Sequence, residues 1–224
     1  MFIGHFAVSF AAKPIAPSVS LGTLFLAAQL ADLLWPNLVL LGLESFTISP
    51  GATVVTPLEF VSYPYSHSLL ALTFWGAAAA LLYRGFGRST EAAFTIGAVI
   101  VSHWLLDAVT HKADMPLAFG EARVGLGLWN SLPGTLVVEG LMFLIAVAYY
   151  MRTTRARDRV GTVALWALVV SLVLIYTANL LSPPPPSVTA VAWTAQAMWL
   201  LVLAAYFIDR HRQADGNEKL KTKN

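Results

Sequence analysis

The chain has 224 residues, of which 57% are hydrophobic and only 12% are charged, and its mean hydropathy is +0.67. An ordinary soluble domain carries about 25% charged residues, so this sequence has too little polar surface to cover a fold in water. These values exclude a soluble globular enzyme, a disordered chain and a nucleic-acid-binding domain, and they predict a membrane protein. Because Cys is absent, disulfides and thiolate metal ligands are also excluded.

The first element is a short apolar segment, Met1 to Ala12, which is followed by Lys13 and Pro14. It is too short to cross a bilayer, which takes ~20 residues, so we expect a half-helix or re-entrant segment. We expect it to be retained rather than cleaved as a secretory signal. A longer and less pure apolar segment follows, Val19 to Leu41. The five remaining apolar segments are Ser66 to Tyr83, Glu91 to Thr110, Leu132 to Met151, Val160 to Leu181 and Val188 to Ile208.

These segments are continuously apolar rather than alternating, which favours helices over barrel strands. The sequence therefore predicts an all-α polytopic membrane helix bundle, with about six transmembrane helices plus the short N-terminal half-helix. Residues 1–209 would form this single domain, and residues 210–224 a basic, disordered tail.

The distribution of Lys and Arg predicts the orientation. With six spans, 12 of the 14 basic residues fall on one side of the membrane, and only Lys112 and Arg123 on the other. Cytoplasmic loops are enriched in Lys and Arg, so the basic side, with the C-terminal tail, is predicted to be cytoplasmic. The basic loops are interpreted as topology determinants rather than a nucleic-acid site.

Ionisable residues inside a bilayer are costly and are candidates for function. His103 and Asp107 lie four residues apart and therefore share one helix face. The predicted topology brings them to the outer end of their span, with His67 at the outer end of the preceding span and Asp32 in the outer half of its own. His5 joins them if the N-terminal half-helix starts near the middle of the membrane and runs inward to Lys13. This convergence predicts a cluster of polar side chains in the outer leaflet.

Imidazole and carboxylate groups are the usual protein ligands of zinc and similar divalent ions. The cluster therefore predicts a divalent-metal site, most simply for zinc, with His5, Asp32, His67, His103 and Asp107 as ligands. A metal with an open position activates water, and this points to hydrolysis of a lipid or lipid-linked ester or phosphoester. Glu59 and Glu44, in the outer loop, are candidates for a general base or for orienting a substrate. The expected partners are membrane lipids and a lipid-like substrate.

Other interpretations of the same residues stay open. A His–Asp pair at this spacing also stabilises helices without metal, and the cluster could then be a structural feature of a non-catalytic scaffold. Asp32, His103, Asp107 and Glu139 could instead form the relay of a proton- or ion-coupled transporter. His111 lies beyond the end of its span, and we expect it to be a solvated loop residue.

Several short motifs resemble those of the YdjM-like bacterial inner-membrane proteins, which are described as membrane-bound metal-dependent hydrolases. The motifs are Gly4-His5, Asp32 followed by Pro36, Ser66-His67-Ser68-Leu69-Leu70, and Ser102-His103 with Asp107 and Thr110. The resemblance covers roughly the first half of the chain. It implies a polytopic inner-membrane fold and a metal site formed by the same five His and Asp residues.

The chain also departs from that family's pattern. Leu34 stands where the family usually has a second acidic residue after Asp32, and Ser62-Tyr63 stands where it usually has a His-Arg pair. A second set of metal ligands and a phosphate-binding Arg are therefore missing. These differences favour a single-metal site over a two-metal phosphoesterase.

Overall fold

The structure is a computed structural model and describes residues 1–214. Most of these residues are helical, which confirms the all-α class. The helices are α1 (Ile3–Ile15), α2 (Leu21–Ala28), α3 (Leu30–Leu40), α4 (Pro64–His67), α5 (Leu69–Gly85), α6 (Thr90–Thr110), α7 (Leu132–Thr153), α8 (Arg159–Leu181), α9 (Val188–Ala195) and α10 (Met198–His211).

Four helical segments are long and apolar enough to cross a membrane: α6, α7, α8 and the combination of α9 with α10. The bent pair of α2 and α3 makes a fifth if it is counted as one span. These helices indicate a multi-pass membrane protein. The predicted number of six is not confirmed, because α5 has only 17 residues. Such a helix is about 25 Å long, which is less than the ~30 Å hydrocarbon layer.

The shortness of α5 has a local cause. The segment predicted from Ser66 to Tyr83 is interrupted at Ser68, whose backbone is extended and whose side chain accepts a hydrogen bond from the backbone N–H of Ala71. This is the usual geometry of a helix N-cap. The short helix α4 ends just before it, so His67 lies at a junction between two helices rather than inside one.

The N-terminal segment forms α1, which continues past the predicted end to Ile15. With 13 residues it is about 20 Å long and does not span a bilayer alone. Phe6 and Phe10 are fully buried, against Phe25 of α2 and Tyr150 of α7 respectively. The helix therefore lies inside the bundle.

The segment predicted from Val19 to Leu41 is broken at Gln29, where the axes of α2 and α3 differ by 51°. A helix that ends leaves its last carbonyl groups without backbone partners. One of them, the carbonyl oxygen of Ala28, accepts a hydrogen bond from Nδ1 of His103, 2.7 Å away. The bend therefore places the first turn of α3, which carries Asp32, next to the face of α6 that carries His103.

Helices α5 and α6 pack closely at a pair of glycines. A Cβ atom on Gly76 would lie 2.9 Å from the carbonyl oxygen of Gly97, and a Cβ on Gly97 would lie 3.1 Å from that of Gly76. Small residues allow such backbone contact between membrane helices. The close crossing fixes the position of α6 against the α4–α5 junction.

Three short antiparallel strand pairs complete the described fold. They are β1 (Ser45–Ile48) with β2 (Leu58–Ser62), β3 (Met115–Pro116) with β4 (Arg123–Val124), and β5 (Thr154–Ala156) with β6 (Arg212–Ala214). The first two pairs lie in the loops predicted to be outer. The third joins the α7–α8 loop to residues that follow α10, so residues 210–214 of the predicted tail belong to a helix and a strand. Residues 215–224 lie outside the described part of the chain.

Candidate metal site

Five polar side chains from four helices meet at one end of the bundle. They are His5 on α1, Asp32 on α3, His67 at the end of α4, and His103 and Asp107 one turn apart on α6. The structure thus brings together all five residues that the sequence singled out as candidate ligands. We call this group the His–Asp cluster.

Asp107 lies at the centre of the cluster. Its Oδ1 atom is 3.0 Å from Nε2 of His5 and also contacts the N-terminal ammonium group of Met1. Its Oδ2 atom is 3.1 Å from Nε2 of His103 and 3.9 Å from Nε2 of His67. Three imidazole rings therefore surround one buried carboxylate.

Asp32 contributes the second carboxylate. Its Oδ1 atom lies 3.4 Å from Nε2 of His67 and 3.9 Å from Nε2 of His103. The Asp32 side chain is 26% exposed, whereas those of the other four cluster residues are at most 5% exposed. Asp32 is therefore the member that a ligand from outside the protein reaches first.

A hydrogen bond fixes the orientation of the His103 ring and, when the ring is neutral, its tautomer. A carbonyl oxygen can only accept a hydrogen bond, so Nδ1 of His103 carries the proton that it donates to Ala28. In the neutral ring, Nε2 is then unprotonated, and it is buried without a hydrogen-bond partner. This lone pair is directed at the carboxylates of Asp107 and Asp32, which have no proton to give when ionised. Either a proton on Nε2, which would pair an imidazolium with Asp107, or a divalent cation between these groups would balance the arrangement.

The ring of His67 is held by a chain of hydrogen bonds that begins at Glu44. The carboxylate of Glu44 accepts hydrogen bonds from the backbone N–H groups of Tyr65 and Ser66 and, at 2.6 Å, from Oγ of Ser66. Because Ser66 has one hydroxyl proton and gives it to Glu44, its oxygen accepts from Nδ1 of His67, also at 2.6 Å. The proton on Nδ1 leaves Nε2 of His67 free to bind a metal. Supporting groups of this kind commonly orient metal-binding His.

The spacing of the donors fits a small divalent ion. Two ligand atoms held ~2.1 Å from a tetrahedral ion are about 3.4 Å apart, and four of the His–Asp distances in the cluster lie between 3.1 and 3.9 Å. Two sets of three donors each lie within 4.8 Å of one another, His5–His103–Asp107 and Asp32–His67–His103. His103 belongs to both. The cluster could therefore hold a metal ion, with His103 as the shared ligand.

The two His rings nearest the centre are also stacked. The centroids of His5 and His103 lie 3.7 Å apart, and their planes differ by 2°. Two charged imidazolium rings would repel each other at this distance. The stacking therefore favours at least one neutral ring, which is the form that binds metal.

The two Glu residues considered as catalytic groups lie away from the cluster atoms. Glu44 is buried, and the hydrogen bond that it accepts from the hydroxyl of Ser66 links it to His67. Glu59 forms a half-exposed ion pair with Lys112 across the outer loops. Neither belongs to a described set of metal donors. Glu44 is placed to orient the ring of His67 through Ser66. The catalytic role predicted for Glu44 and Glu59 stays a prediction.

The prediction for His111 was wrong, since this residue is buried rather than solvated. It caps the C-terminus of α6, and its Nδ1 atom lies 3.0 Å from Oδ1 of Asp114, which also accepts a hydrogen bond from the hydroxyl of Tyr63. Burial lowers the pKa of His111, against the opposing effect of Asp114, and burial raises the pKa of Tyr63. The contacts among Tyr63, His111 and Asp114 hold together the loops that follow β2 and α6. His111 belongs to neither set of metal donors.

Glu139 of α7 belongs to neither set of metal donors and instead contacts the N-terminus of α1. Its Oε2 atom accepts hydrogen bonds from the backbone N–H groups of Phe2 at 2.8 Å and Gly4 at 3.3 Å. These groups lie at the unsatisfied start of α1, where a negative charge is favourable. Glu139 therefore anchors the helix that carries His5.

From the sequence, no role is assigned to three groups that shape the cluster, although two of them, Ser66 and Thr110, belong to the motifs of the family resemblance. The carbonyl of Ala28 fixes His103, Ser66 fixes His67, and Thr110 approaches the Met1 ammonium at 3.3 Å. Ser66 had a signal, since a hydroxyl residue directly precedes the His. The role of Ala28 had none, because it depends on the break between α2 and α3.

No protein-family model, curated protein or solved structure matches the chain in comparisons with known proteins.

Proposed function

We propose that this protein is a multi-pass bacterial inner-membrane hydrolase with one divalent-metal site, most simply for zinc, near the outer leaflet. Its proposed substrate is a lipid or lipid-linked ester or phosphoester. The observation that carries the proposal is the His–Asp cluster, in which buried imidazoles with fixed tautomers face two carboxylates from different helices. Burying ionisable groups inside a membrane protein costs free energy, and such groups are typical of functional sites.

The residues of the cluster differ in exposure, and we assign their roles accordingly. His5, His67, His103 and Asp107 are buried and provide rigid donors, while the accessible Asp32 lies where a substrate arrives. When bound, a divalent metal supplies Lewis acidity and lowers the pKa of a coordinated water. In the neutral rings, the hydrogen bonds to Ser66 and to the carbonyl of Ala28 place the proton on Nδ1 of His67 and of His103, so that Nε2 of each ring is the atom available to a metal.

The resemblance to the YdjM-like proteins supports the same assignment, since their motifs contain the five residues that meet in the cluster. One feature limits the chemistry to a single metal. His103 is common to both three-residue sets, so these sets overlap at one position rather than forming two separate sites. This agrees with the absence of a second acidic residue at Leu34.

The proposed location follows from charge. The cluster lies at the end of α6 that is followed by the loop with Lys112 and Arg123, whereas the other end of the bundle carries most of the Lys and Arg. Because basic loops stay in the cytoplasm, the cluster would face the outer side and the C-terminus the cytoplasm.

Turnover tests the enzymatic part of the proposal. The purified protein, loaded with zinc in phospholipid nanodiscs, is assayed with p-nitrophenyl butyrate as an ester probe and bis(p-nitrophenyl) phosphate as a phosphodiester probe. We expect hydrolysis of at least one probe, loss of that activity in His103→Ala or with phenanthroline, and retention in His211→Ala. His211 is a suitable control because it bonds to Asp158, outside the cluster. Activity that survives both phenanthroline and His103→Ala would contradict the proposal.

One observation favours a second candidate, an ion- or proton-coupled transporter. The 51° break between α2 and α3 lies directly beside the cluster, and transporters commonly form their ion sites at discontinuous helices. Proton uptake into liposomes, measured with a pH-sensitive dye and abolished by Asp107→Asn, would favour this candidate over the hydrolase. Wild-type liposomes that take up no more protons than protein-free liposomes would argue against a proton flux through the cluster.

A further inference from the structure

The exposed apolar stripe of α8 ends in an arginine. Val163, Trp166 and Val170 are 67%, 48% and 52% exposed, and in a membrane protein such a surface faces hydrocarbon. Arg159 precedes Val163 by four residues and is exposed, so it continues the same helix face. With 23 residues, α8 is about 34 Å long, slightly more than the ~30 Å hydrocarbon layer. Arg159, its first residue, therefore lies at the level of the lipid head groups.

Two other spans show the same pattern at the same end of the bundle. On α10, the exposed Arg210 follows Leu203 and Phe207, which are 60% and 47% exposed, at the spacing of one helix face. On α7, the exposed Arg152 follows Tyr149, which is 43% exposed, by three residues. Three lipid-facing stripes thus end in arginine at the end of the bundle opposite the His–Asp cluster.

Two of these arginines come together where α8 and α10 are in contact. Nδ1 of His211, the residue after Arg210, lies 2.8 Å from Oδ2 of Asp158, the residue before Arg159. The backbone N–H of Arg157 donates to the carbonyl of His211, and strand β5 pairs with strand β6 beside this contact. Arg159 and Arg210 therefore flank one junction between the two helices. We call them the arginine pair.

The arginine pair has no carboxylate partner among residues 1–214. The two carboxylates nearest to it in sequence are engaged elsewhere. Asp158 accepts a hydrogen bond from the backbone N–H of Gly161 at 2.8 Å and pairs with His211, while Asp209 pairs with Lys13 at 2.8 Å. Two positive charges therefore face the head-group region without a described anion of their own.

The choice of arginine over lysine points to phosphate as the missing anion. The exposed basic residues described at this end are all arginine: Arg84, Arg88, Arg152, Arg155, Arg157, Arg159 and Arg210. The one described lysine there, Lys13, is buried. The positive-inside rule counts Lys and Arg alike, so orientation does not require this choice. A guanidinium binds phosphate through two parallel hydrogen bonds, whereas an ammonium acts as a point charge.

The surroundings of the arginine pair select among phosphate ligands. Free phosphate and polynucleotides have no hydrocarbon, but a phospholipid joins a phosphate to acyl chains that suit the stripes containing Val163 and Leu203. We propose that the arginine pair binds the head-group phosphate of an anionic phospholipid, whose chains lie along the apolar faces of α8 and α10. An anionic lipid is favoured because two cations face the head group and basic residues near a membrane attract anionic lipids. The proposal is independent of the metal site and its chemistry.

Lipid binding measured by native mass spectrometry tests the proposal. The full-length protein in a neutral detergent is titrated separately with phosphatidylglycerol and with phosphatidylcholine. Each arginine near an anionic surface contributes roughly a factor of five in affinity. Arg159→Gln combined with Arg210→Gln should therefore weaken binding of phosphatidylglycerol by about 30-fold and leave the binding of phosphatidylcholine nearly unchanged. Equal affinities of the wild type for the two lipids would overturn the proposal.

Two matched double variants separate phosphate recognition from general attraction between charges. Arg159→Lys with Arg210→Lys keeps both charges but removes the guanidinium groups, and should still weaken binding of phosphatidylglycerol several-fold. Lys221→Gln with Lys223→Gln removes the same charge from residues outside the described part of the chain, and should leave binding nearly unchanged. Full binding in the first variant, or equal losses in the second and in the Arg-to-Gln variant, would overturn the proposal.

Thermal unfolding in the same detergent checks the fold and the nature of the ligand. Because Arg159 and Arg210 are exposed, their variants should unfold at the wild-type temperature when no lipid is added. Phosphatidylglycerol should raise the melting temperature of the wild type but not that of the Arg-to-Gln variant. An equal rise with inorganic phosphate alone, or displacement of the lipid by an oligonucleotide, would assign the arginine pair to another ligand and overturn the proposal.

Discussion

Replacing Glu44 by Gln tests how the cluster prepares its ligands. The amide of Gln keeps one oxygen for the backbone N–H groups of Tyr65 and Ser66, but its NH₂ group cannot accept the hydroxyl proton of Ser66. Ser66 would then donate to Nδ1 of His67, and the ring proton would move to Nε2, the atom directed at Asp32. The variant thus removes a metal-binding lone pair without removing a ligand.

Loss of such a supporting hydrogen bond typically reduces metal affinity 10–100-fold, which corresponds to about 1.4–2.7 kcal/mol. Zinc affinity is measured in detergent by competition with a chromogenic chelator. Glu59→Gln is the matched control, since Glu59 pairs with Lys112 away from the cluster. Equal zinc affinities in the two variants, both with wild-type thermal stability, would refute the role assigned to Glu44.

Three other predictions concern the fold and its orientation. Gly76→Val should lower the free energy of unfolding by about 1–3 kcal/mol, because its Cβ would lie 2.9 Å from the carbonyl oxygen of Gly97. Gly140 has open space around it, so Gly140→Val should leave the free energy of unfolding unchanged. Thermal unfolding in detergent compares the two variants. Lys13→Met should cost about 1.5–3 kcal/mol in the same assay, because Nζ lies 2.8 Å from Asp209; a wild-type melting temperature would argue against a stabilising pair. A fluorescent protein fused to the C-terminus should fluoresce and alkaline phosphatase fused there should be inactive, and the reverse pattern would contradict the proposed orientation.

The proximity of the five cluster residues could be anticipated from the sequence because it depends on simple periodicity. His103 and Asp107 share a helix face by their spacing, and the alternation of spans brings His67 and Asp32 to the same end. The position of His5 required a further step, since α1 had to enter the bundle rather than lie at its surface. Its apolar residues, such as Phe6, are what bury it there.

The features that sequence periodicity did not predict arise where helices break. Gln29 is no strong helix breaker, so the bend between α2 and α3 follows from packing, and with it the contact of His103 with the Ala28 carbonyl. The burial of His111 was missed because a loop folds back to place Asp114 against it. Tertiary contacts of this kind override local pattern.

The central claim is that the cluster binds a divalent metal, and bound zinc per chain tests it most directly. The protein is purified in mild detergent without chelators, and its zinc is measured by elemental analysis alongside His103→Ala and His211→Ala. We predict about one zinc ion per chain in the wild type and in His211→Ala, and its loss in His103→Ala, because His103 belongs to both sets of donors. Substoichiometric zinc that is unchanged in His103→Ala would contradict the claim.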